Sequence, residues 1–408
     1  MTNIHPFRAV RPKVELAKEV ASQPYDVLSS EEARLAAAGH PNSFLHVTKS
    51  EIDLPTELSI YDTSVYEQAK RNLQSFIQQG VLFQDEKPCY YIYELIMDGR
   101  SQTGLVCCSS VDDYENGIIK KHEFTRPEKE QDRINHIRIS GAQTGNVFLA
   151  YRNVSELDKL IGDWKVAQSP VYNFVADDHI THKIWVVDAN EAVEQITKIF
   201  LDKVPCTYIA DGHHRAASAA KVRSTAGANA TPEADVFLTT LFPSDQLKIM
   251  SYNRVIKDLN GMEKEDFLSA LQDDFMISTA DGSIDPEALH EFGMYLDKKW
   301  YHLTAIDGTY TEDPIGVLDI TIFSKNILEK LLDIKDQRTD KRIDFVGGIR
   351  GVGELERRVD SGEMQVAFSF YPVSIQQLFD ISDSGEVMPP KSTWFEPKLR
   401  DGLLTHLI

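Results

Sequence analysis

Apolar residues follow helical spacing in some parts of the chain and strand spacing in others. From Tyr66 to Ile77 they recur every three or four residues, which predicts an amphipathic helix that ends at Gly80. The runs 90–97 and 103–111 are rich in β-branched and aromatic residues and flank Asp98-Gly99, a strong two-residue turn signal. These two runs therefore predict a β-hairpin.

Patterns of the same two kinds continue towards the C-terminus. They predict a second hairpin and three further helices, in the segments 171–187, 191–200, 264–272 and 322–332. A chain of 408 residues is long enough for two or three domain-sized units. We predict a mixed α/β (α+β) fold, with a catalytic, phosphate-handling region at residues 1–260 and a second α/β region at residues 261–408 that contributes to the site.

The segment from Cys206 to Arg223 concentrates polar side chains at the end of an apolar run. Its first residues are apolar enough for a buried strand and its last are good helix formers, so Asp211 to Arg215 should form a tight strand-to-helix turn. A helix start carries free N–H groups and partial positive charge, which suit a phosphate or carboxylate. Gly212 allows the backbone to approach such an anion closely.

The polar residues of this turn also have purely structural interpretations. Asp211 is a suitable N-cap, and the adjacent His213 and His214 would be stable as packed, hydrogen-bonded side chains. Adjacent histidines project in different directions, which disfavours a metal site built from this pair. The density of the Asp-Gly-His-His-Arg cluster favours a functional site over these alternatives.

A second candidate site precedes Pro127. His122, Glu123 and Arg126 follow the apolar pair Ile118-Ile119, where a chain that leaves a strand can present a carboxylate to a cleft. The charged residues after Pro127 have i,i+4 spacing and predict a solvated helix face.

The C-terminal region contains further cations near turns. Arg342 and Arg350 flank a glycine-rich turn that matches neither the phosphate-loop nor the dinucleotide-binding motif, so a local anion site and a simple tight turn both stay open. Lys391 lies in the proline-rich segment 388–398, which is unusually rich in functional groups. From composition, Arg342, Arg350 and Lys391 are candidate ligands for a substrate carboxylate.

Charge and cysteine usage limit the partners. The formal net charge of −20 repels nucleic acid and anionic membranes, so we expect neither as a partner. The four cysteines form no C-x-x-C pair or disulfide-dense pattern, and no leader-like or membrane-spanning run is evident. These features predict a reducing, cytoplasmic environment.

Six segments together resemble a widespread bacterial and archaeal family, whose members are described as proteins of unknown function or loosely named after the partition protein ParB. The resemblance covers nearly the whole chain. The segments are Pro6 to Ala9, Pro24 to Val27, Lys121 to Glu123, Ala210 to Arg215, Arg342 to Gly348 and Pro389 to Phe395. The Asp-Gly-His-His-Arg element also looks like the phosphate-handling motif of ParB- and sulfiredoxin-like folds, in which free-serine kinases are found.

This resemblance implies ATP-dependent phosphorylation of free L-serine to O-phospho-L-serine, with Mg²⁺. It implies that Asp211 holds the metal or orients the substrate, and that Gly212, His213, His214 and Arg215 cradle the nucleotide phosphates. Glu123 is the candidate base. Sulfiredoxin chemistry is disfavoured, because histidine stands where that reaction needs cysteine.

Two other classes of function remain alternatives. A ParB-like regulatory module would bind nucleotide without a competent base. A metal-dependent hydrolase would use His213, His214 and Asp211 as ligands. Partition activity is disfavoured, because the acidic chain shows no convincing helix-turn-helix.

Overall fold

The computed structural model describes residues 1–227 and 231–408. These residues form two compact units, one comprising Met1–Leu247 with Pro397–Ile408 and the other Lys248–Glu396. The division thus lies at residue 247 rather than residue 260, and the C-terminal segment returns to the first unit. The composition of the proline-rich segment 388–398 suggests a chain that crosses back over the core, but not where it returns, because that depends on contacts distant along the chain.

The helices of the described residues are α1 Ala17–Val20, α2 Ser30–Ala37, α3 Leu45–Thr48, α4 Thr63–Gln78, α5 Val111–Glu115, α6 Pro127–Ser140, α7 Ser155–Ala167, α8 Asn190–Lys203, α9 His213–Ala226, α10 Lys264–Leu271, α11 Asp319–Phe323, α12 Gly353–Asp360 and α13 Ile375–Ser384. Helix α11 continues into a π-helical segment, Ser324–Glu329. None of these helices is both long and apolar enough to cross a bilayer.

The strands are β1 Ile4–His5, β2 Val10–Pro12, β3 Leu82–Gln84, β4 Tyr90–Met97, β5 Arg100–Ser110, β6 Ile119–Lys120, β7 Ala142–Gln143, β8 Val147–Tyr151, β9 Tyr172–Val175, β10 Thr181–Val187, β11 Thr207–Asp211, β12 Val236–Pro243, β13 Ile249–Met250, β14 Tyr252–Ile256, β15 Phe275–Ala280, β16 Glu291–Leu296, β17 Lys299–Ala305, β18 Ile343–Gly347, β19 Val366–Phe370, β20 Trp394–Phe395 and β21 His406–Leu407.

The first unit is built on a mixed sheet with the strand order β6-β11-β8-β12-β5-β4-β10-β9, to which β1 adds by pairing with β5. The pairs β11/β6 and β12/β8 are parallel, whereas the other pairs of this sheet are antiparallel. The predicted mixed α/β class is therefore confirmed.

Both predicted hairpins are present. In the first, β4 and β5 pair from Met97 and Arg100 onwards, and Asp98 and Gly99 both have positive φ. Such a loop suits the right-handed twist of the flanking strands, which is why Asp-Gly is a reliable hairpin signal. In the second hairpin, β9 pairs with β10.

Helix α6 was predicted to present a solvated charged face, and Glu128, Lys129 and Arg138 are indeed exposed, but two of the basic residues assigned to it are not. Arg133 and His136 are buried on α6, which packs against α4 and α9. The Arg133 guanidinium lies 3.9 Å from the centre of the Tyr25 ring and 2.7 Å from the Asp132 carboxylate. The Tyr66 hydroxyl donates to the same carboxylate at 2.9 Å. The charges are buried because each has a partner, which i,i+4 spacing does not reveal.

The second unit contains a six-stranded antiparallel sheet with the order β15-β17-β16-β19-β14-β18, and a short ladder between β13 and β20. Helix α12 packs on this sheet through Leu355, beside the buried side chains of Trp300 and Val346.

Low apolar content predicts a mobile surface loop at residues 224–232. Helix α9 instead continues to Ala226, and a short 3-10 helix, Pro232–Asp235, begins at the end of this segment. Residues 228–230, at the centre of the predicted loop, lie outside the described residues.

Candidate active site

The corner between β11 and α9 is narrower than the predicted five-residue turn. Asp211 is the last residue of β11, Gly212 alone forms the turn with φ of 97°, and α9 begins at His213. A Cβ atom on Gly212 would lie 3.3 Å from Arg215 Cζ and 3.4 Å from Val147 Cα. Glycine is therefore needed both for the left-handed backbone and for close packing. His213, His214 and Arg215 occupy the first turn of the helix.

Arg215 joins three parts of the first unit. Its Nη1 donates to the carbonyl oxygen of Asn146. Its Nη2 lies 3.3 Å from Asp26 Oδ2 and 3.6 Å from Asp211 Oδ2. Burial of the guanidinium is offset by these two carboxylates, so Arg215 binds the N-terminal loop to the β11–α9 corner.

Asp211 receives a second cation from the end of the chain. Lys398 Nζ lies 3.2 Å from Asp211 Oδ2. Burial alone would raise the pKa of Asp211, but the charges of Lys398 and Arg215 outweigh it and hold this pKa well below its usual range. Asp211 is therefore ionised at any physiological pH.

A second carboxyl group, that of Asp401, lies deeper in the same unit. Its side chain is buried, and its Oδ2 has no hydrogen-bond partner. Burial raises the pKa of Asp401 to about 8, and the negative charge of Asp26 acts in the same direction. The backbone of Asp401 is fixed by a bridge to Ser22. This carboxyl group is therefore largely protonated at neutral pH.

The two adjacent histidines face different neighbours, as their positions in the sequence predict. His214 Nε2 accepts a hydrogen bond of 2.9 Å from the backbone N–H of Arg126. The ring of His213 instead meets that of His122 edge to face, with the ring centres 4.5 Å apart.

Glu123 lies beside this second pair. One ligand atom each from His122, Glu123 and His213 can be chosen so that all three lie within 4.8 Å of one another. The predicted hydrolase ligands were His213, His214 and Asp211, and the described residues do not assemble that set. His213 is grouped with His122 and Glu123, while Asp211 is paired with Lys398 and Arg215.

The three candidate substrate ligands Arg342, Arg350 and Lys391 belong to the second unit. Arg342 is occupied by local contacts, since its guanidinium lies 3.0 Å from the Asp340 carboxylate and donates to the carbonyl of Leu332. Lys391 has positive φ, and its Nζ lies 5.6 Å from the centre of the Tyr252 ring. Arg350 ends a short 3-10 helix that begins at Gly348.

The model of a family described as "Protein of unknown function (DUF1015)" matches residues 4–321. The chain belongs to this family. The match includes the β11–α9 corner, Glu123 and Asp26, but not the C-terminal segment that carries Lys398 and Asp401. No curated protein matches the chain significantly.

Several solved structures resemble the chain at low identity. A conserved hypothetical protein from Pyrococcus furiosus is 15% identical, with 73% of this chain and 93% of that chain covered and a TM-score of 0.37. A free serine kinase in complex with AMP is 13% identical, with 72% and 86% covered and a TM-score of 0.36. SbnI from Staphylococcus aureus is 10% identical, with 73% and 86% covered and a TM-score of 0.38. At these TM-scores, a ParB- or sulfiredoxin-like core stays a prediction for this family member.

Sequence patterns did not identify four residues that surround Arg215 and Asp211. Asp26 follows Pro24-Tyr25 in a loop before a predicted helix, where a turn role is at least as good an interpretation as a catalytic one, and the sequence assigns no role to Tyr25, Lys398 or Asp401. The surrounding sequence does mark two of these residues. Asp26 lies in the Pro24 to Val27 segment of the family resemblance, and Lys398 ends the proline-rich segment 388–398.

Proposed function

We propose that this protein is a small-molecule phosphotransferase that transfers the γ-phosphoryl group of ATP to free L-serine and forms O-phospho-L-serine. The observation that carries this proposal is the convergence of Arg215 and Lys398 on Asp211 at the start of α9. Two cations and the N–H groups of a helix start lie at one corner, where a glycine allows close approach. This combination suits phosphate groups.

Phosphoryl transfer requires mainly that two reactants be positioned and that charge on the transferring group be neutralised. In the proposed site, Arg215 and Lys398 supply fixed positive charge. Gly212, His213 and His214 supply the backbone of the corner on which the phosphates rest. Because these groups are held before the substrate binds, they need little reorganisation during the reaction.

The carboxylates at this corner fit Mg²⁺. Asp211 and Asp26 supply the hard carboxylate oxygens that Mg²⁺ prefers, and both lie within 3.6 Å of the same Arg215 nitrogen. These two residues would hold the ion. Bound Mg²⁺ would neutralise charge on the nucleotide phosphates.

The base in this proposal is Glu123. As the serine oxygen bonds to the γ-phosphorus, the bond from that phosphorus to the bridging oxygen breaks and ADP leaves. The hydroxyl proton passes to Glu123. Serine also needs a cation for its carboxylate. Of the three candidates predicted from composition, Arg342 is already paired with Asp340.

The test incubates the purified full chain with L-serine, Mg²⁺ and ATP, ADP or CTP, and measures O-phospho-L-serine by mass spectrometry. Formation of phosphoserine with ATP is the expected result. No phosphoserine with any donor would contradict the proposal. Nucleotide binding or hydrolysis without phosphoserine would favour a ParB-like regulatory module.

A further inference from the structure

His122, Glu123 and His213 come together because two chain segments leave adjacent parallel strands in the same direction. Strands β6 and β11 pair in parallel, with Ile119 opposite Thr207. His122 and Glu123 follow β6, and His213 follows β11 after the Gly212 turn. The side chains beyond these two strand ends therefore share one edge of the sheet.

The separation of these side chains is close to that of ligands around one ion. Their ligand atoms lie within 4.8 Å of one another. Ligands placed about 2.0–2.2 Å from a tetrahedral metal are themselves roughly 3.3–3.6 Å apart. Binding of one ion would require the side chains to rotate closer together by about 1 Å.

His122 is an unusual buried residue. Only 2% of its surface is exposed, and neither ring nitrogen has a hydrogen-bond partner. A buried polar group without a partner is costly and calls for a ligand or another explanation. His213 Nε2 accepts a long, weak contact of 3.5 Å from the backbone N–H of His122.

We propose that His122, His213 and Glu123 form a binding site for a divalent transition metal, with Zn²⁺ as the best match. Two imidazole nitrogens and one carboxylate oxygen are the ligands that Zn²⁺ takes in sites with an open fourth position. Mg²⁺ prefers oxygen ligands, so this site is distinct in chemistry from the Asp211 and Asp26 carboxylates. Neither family membership nor phosphoryl transfer requires it.

A metal at this site has a consequence that rests on the proposed function. A carboxylate bound to Zn²⁺ cannot also accept the serine proton, so Glu123 serves either as ligand or as base. We therefore expect micromolar Zn²⁺ to inhibit phosphoserine formation in the presence of excess Mg²⁺. Replacement of His122 by alanine should weaken this inhibition, measured as a ratio to the rate of the same variant without Zn²⁺.

Metal binding itself is tested without any activity assay. Co²⁺ is titrated into the chelator-treated full chain while the visible ligand-field bands are recorded, and Zn²⁺ is then added in competition. The expected result is one Co²⁺ bound with intense tetrahedral or five-coordinate bands, which Zn²⁺ removes. Absence of these bands in the wild-type protein would overturn the proposal, and this readout needs no variant.

Single-residue variants test which side chains bind the metal ion. His122→Ala and Glu123→Gln should each weaken Co²⁺ binding by at least about tenfold, since even loss of an outer partner costs that much. His40→Ala is the matched control, because His40 is exposed and lies outside the cluster. Unchanged Co²⁺ affinity in folded His122→Ala would also overturn the site. If no phosphoserine forms with any donor, the phosphotransferase proposal fails while the Co²⁺ titration still decides the metal site.

Discussion

Lys398 Nζ lies 3.2 Å from the Asp211 carboxylate, although 187 residues separate the two in the sequence. The contact brings the C-terminal segment to the start of α9. Asp211 thus has two cations, Lys398 from a distant segment and Arg215 from the helix that follows it. The proposed phosphate site uses these two cations.

Replacement of Lys398 by methionine should remove one of these cations while keeping much of the side-chain volume. We expect phosphoserine formation to fall about 100-fold or more, by analogy with the loss of one charge-stabilising donor. The pKa of Asp211 should rise towards its ordinary value. Lys398→Arg should restore part of the rate, whereas Lys159→Met, at an exposed lysine of α7, should leave it unchanged. Equal rates for Lys398→Met and wild type would exclude Lys398 from the site.

Replacement of Gly212 by alanine should strain the β11–α9 corner. The residue has φ of 97°, and the new Cβ would lie 3.3 Å from the Arg215 guanidinium carbon. We expect a loss of roughly 1–3 kcal/mol in the free energy of unfolding, together with weaker nucleotide binding. Denaturant unfolding and calorimetric titration with ATP measure the two effects.

Gly162 provides the matched glycine control. It lies exposed in α7, and a Cβ added there would have no neighbouring atom within 4 Å. Gly162→Ala should therefore stabilise the protein by about 0.5–1 kcal/mol. If Gly212→Ala behaved like Gly162→Ala, the corner would not depend on its left-handed backbone.

Asp401 should make the protein less stable as pH rises. Its pKa in the folded state is about 8, against an ordinary value of 3.8. Between these values the folded state binds more protons than the unfolded state, so the free energy of unfolding falls from about pH 4 to about pH 8 and then levels off. Asp401→Asn keeps the shape of the protonated side chain but removes this titration.

The pH test compares unfolding of wild type and Asp401→Asn between pH 5 and pH 9. The variant should gain stability relative to wild type as the pH increases. Asp177→Asn, at a carboxylate that is 95% exposed, should follow the wild-type profile. Parallel profiles for wild type and Asp401→Asn would show that Asp401 does not take up a proton on folding.

Replacement of Glu123 by glutamine should abolish turnover while leaving ATP affinity nearly intact, because the amide cannot accept the serine proton but keeps the side-chain shape. Steady-state rates of phosphoserine formation and direct nucleotide titration separate these effects. The control is Glu128→Gln, at an exposed glutamate on the first turn of α6. An active Glu123→Gln enzyme would reject this base.

Local patterns predicted several elements with good accuracy. The Asp98-Gly99 hairpin, the helix that ends before Gly80 and the strand before Asp211 are all present. Each depends on interactions between residues close in sequence, such as turn conformation and the spacing of one apolar face. The helix after Pro127 was also predicted, but the burial of Arg133 was not, because its Tyr25 partner is distant in the sequence.

The candidate site likewise combines features that depend on neighbouring residues with features that depend on distant ones. By itself, the sequence determined the Asp211 to Arg215 cluster, the need for glycine at residue 212 and the different directions of the two adjacent histidines, because all of these follow from a single strand-to-helix corner. Only the tertiary structure decided which partners meet that corner: Lys398 beside Asp211, Asp26 beside Arg215, and His122 with Glu123 beside His213. These contacts join segments that are distant in the sequence and that strand pairing and the C-terminal segment bring together. The local spacing of apolar and polar residues carries no information about them.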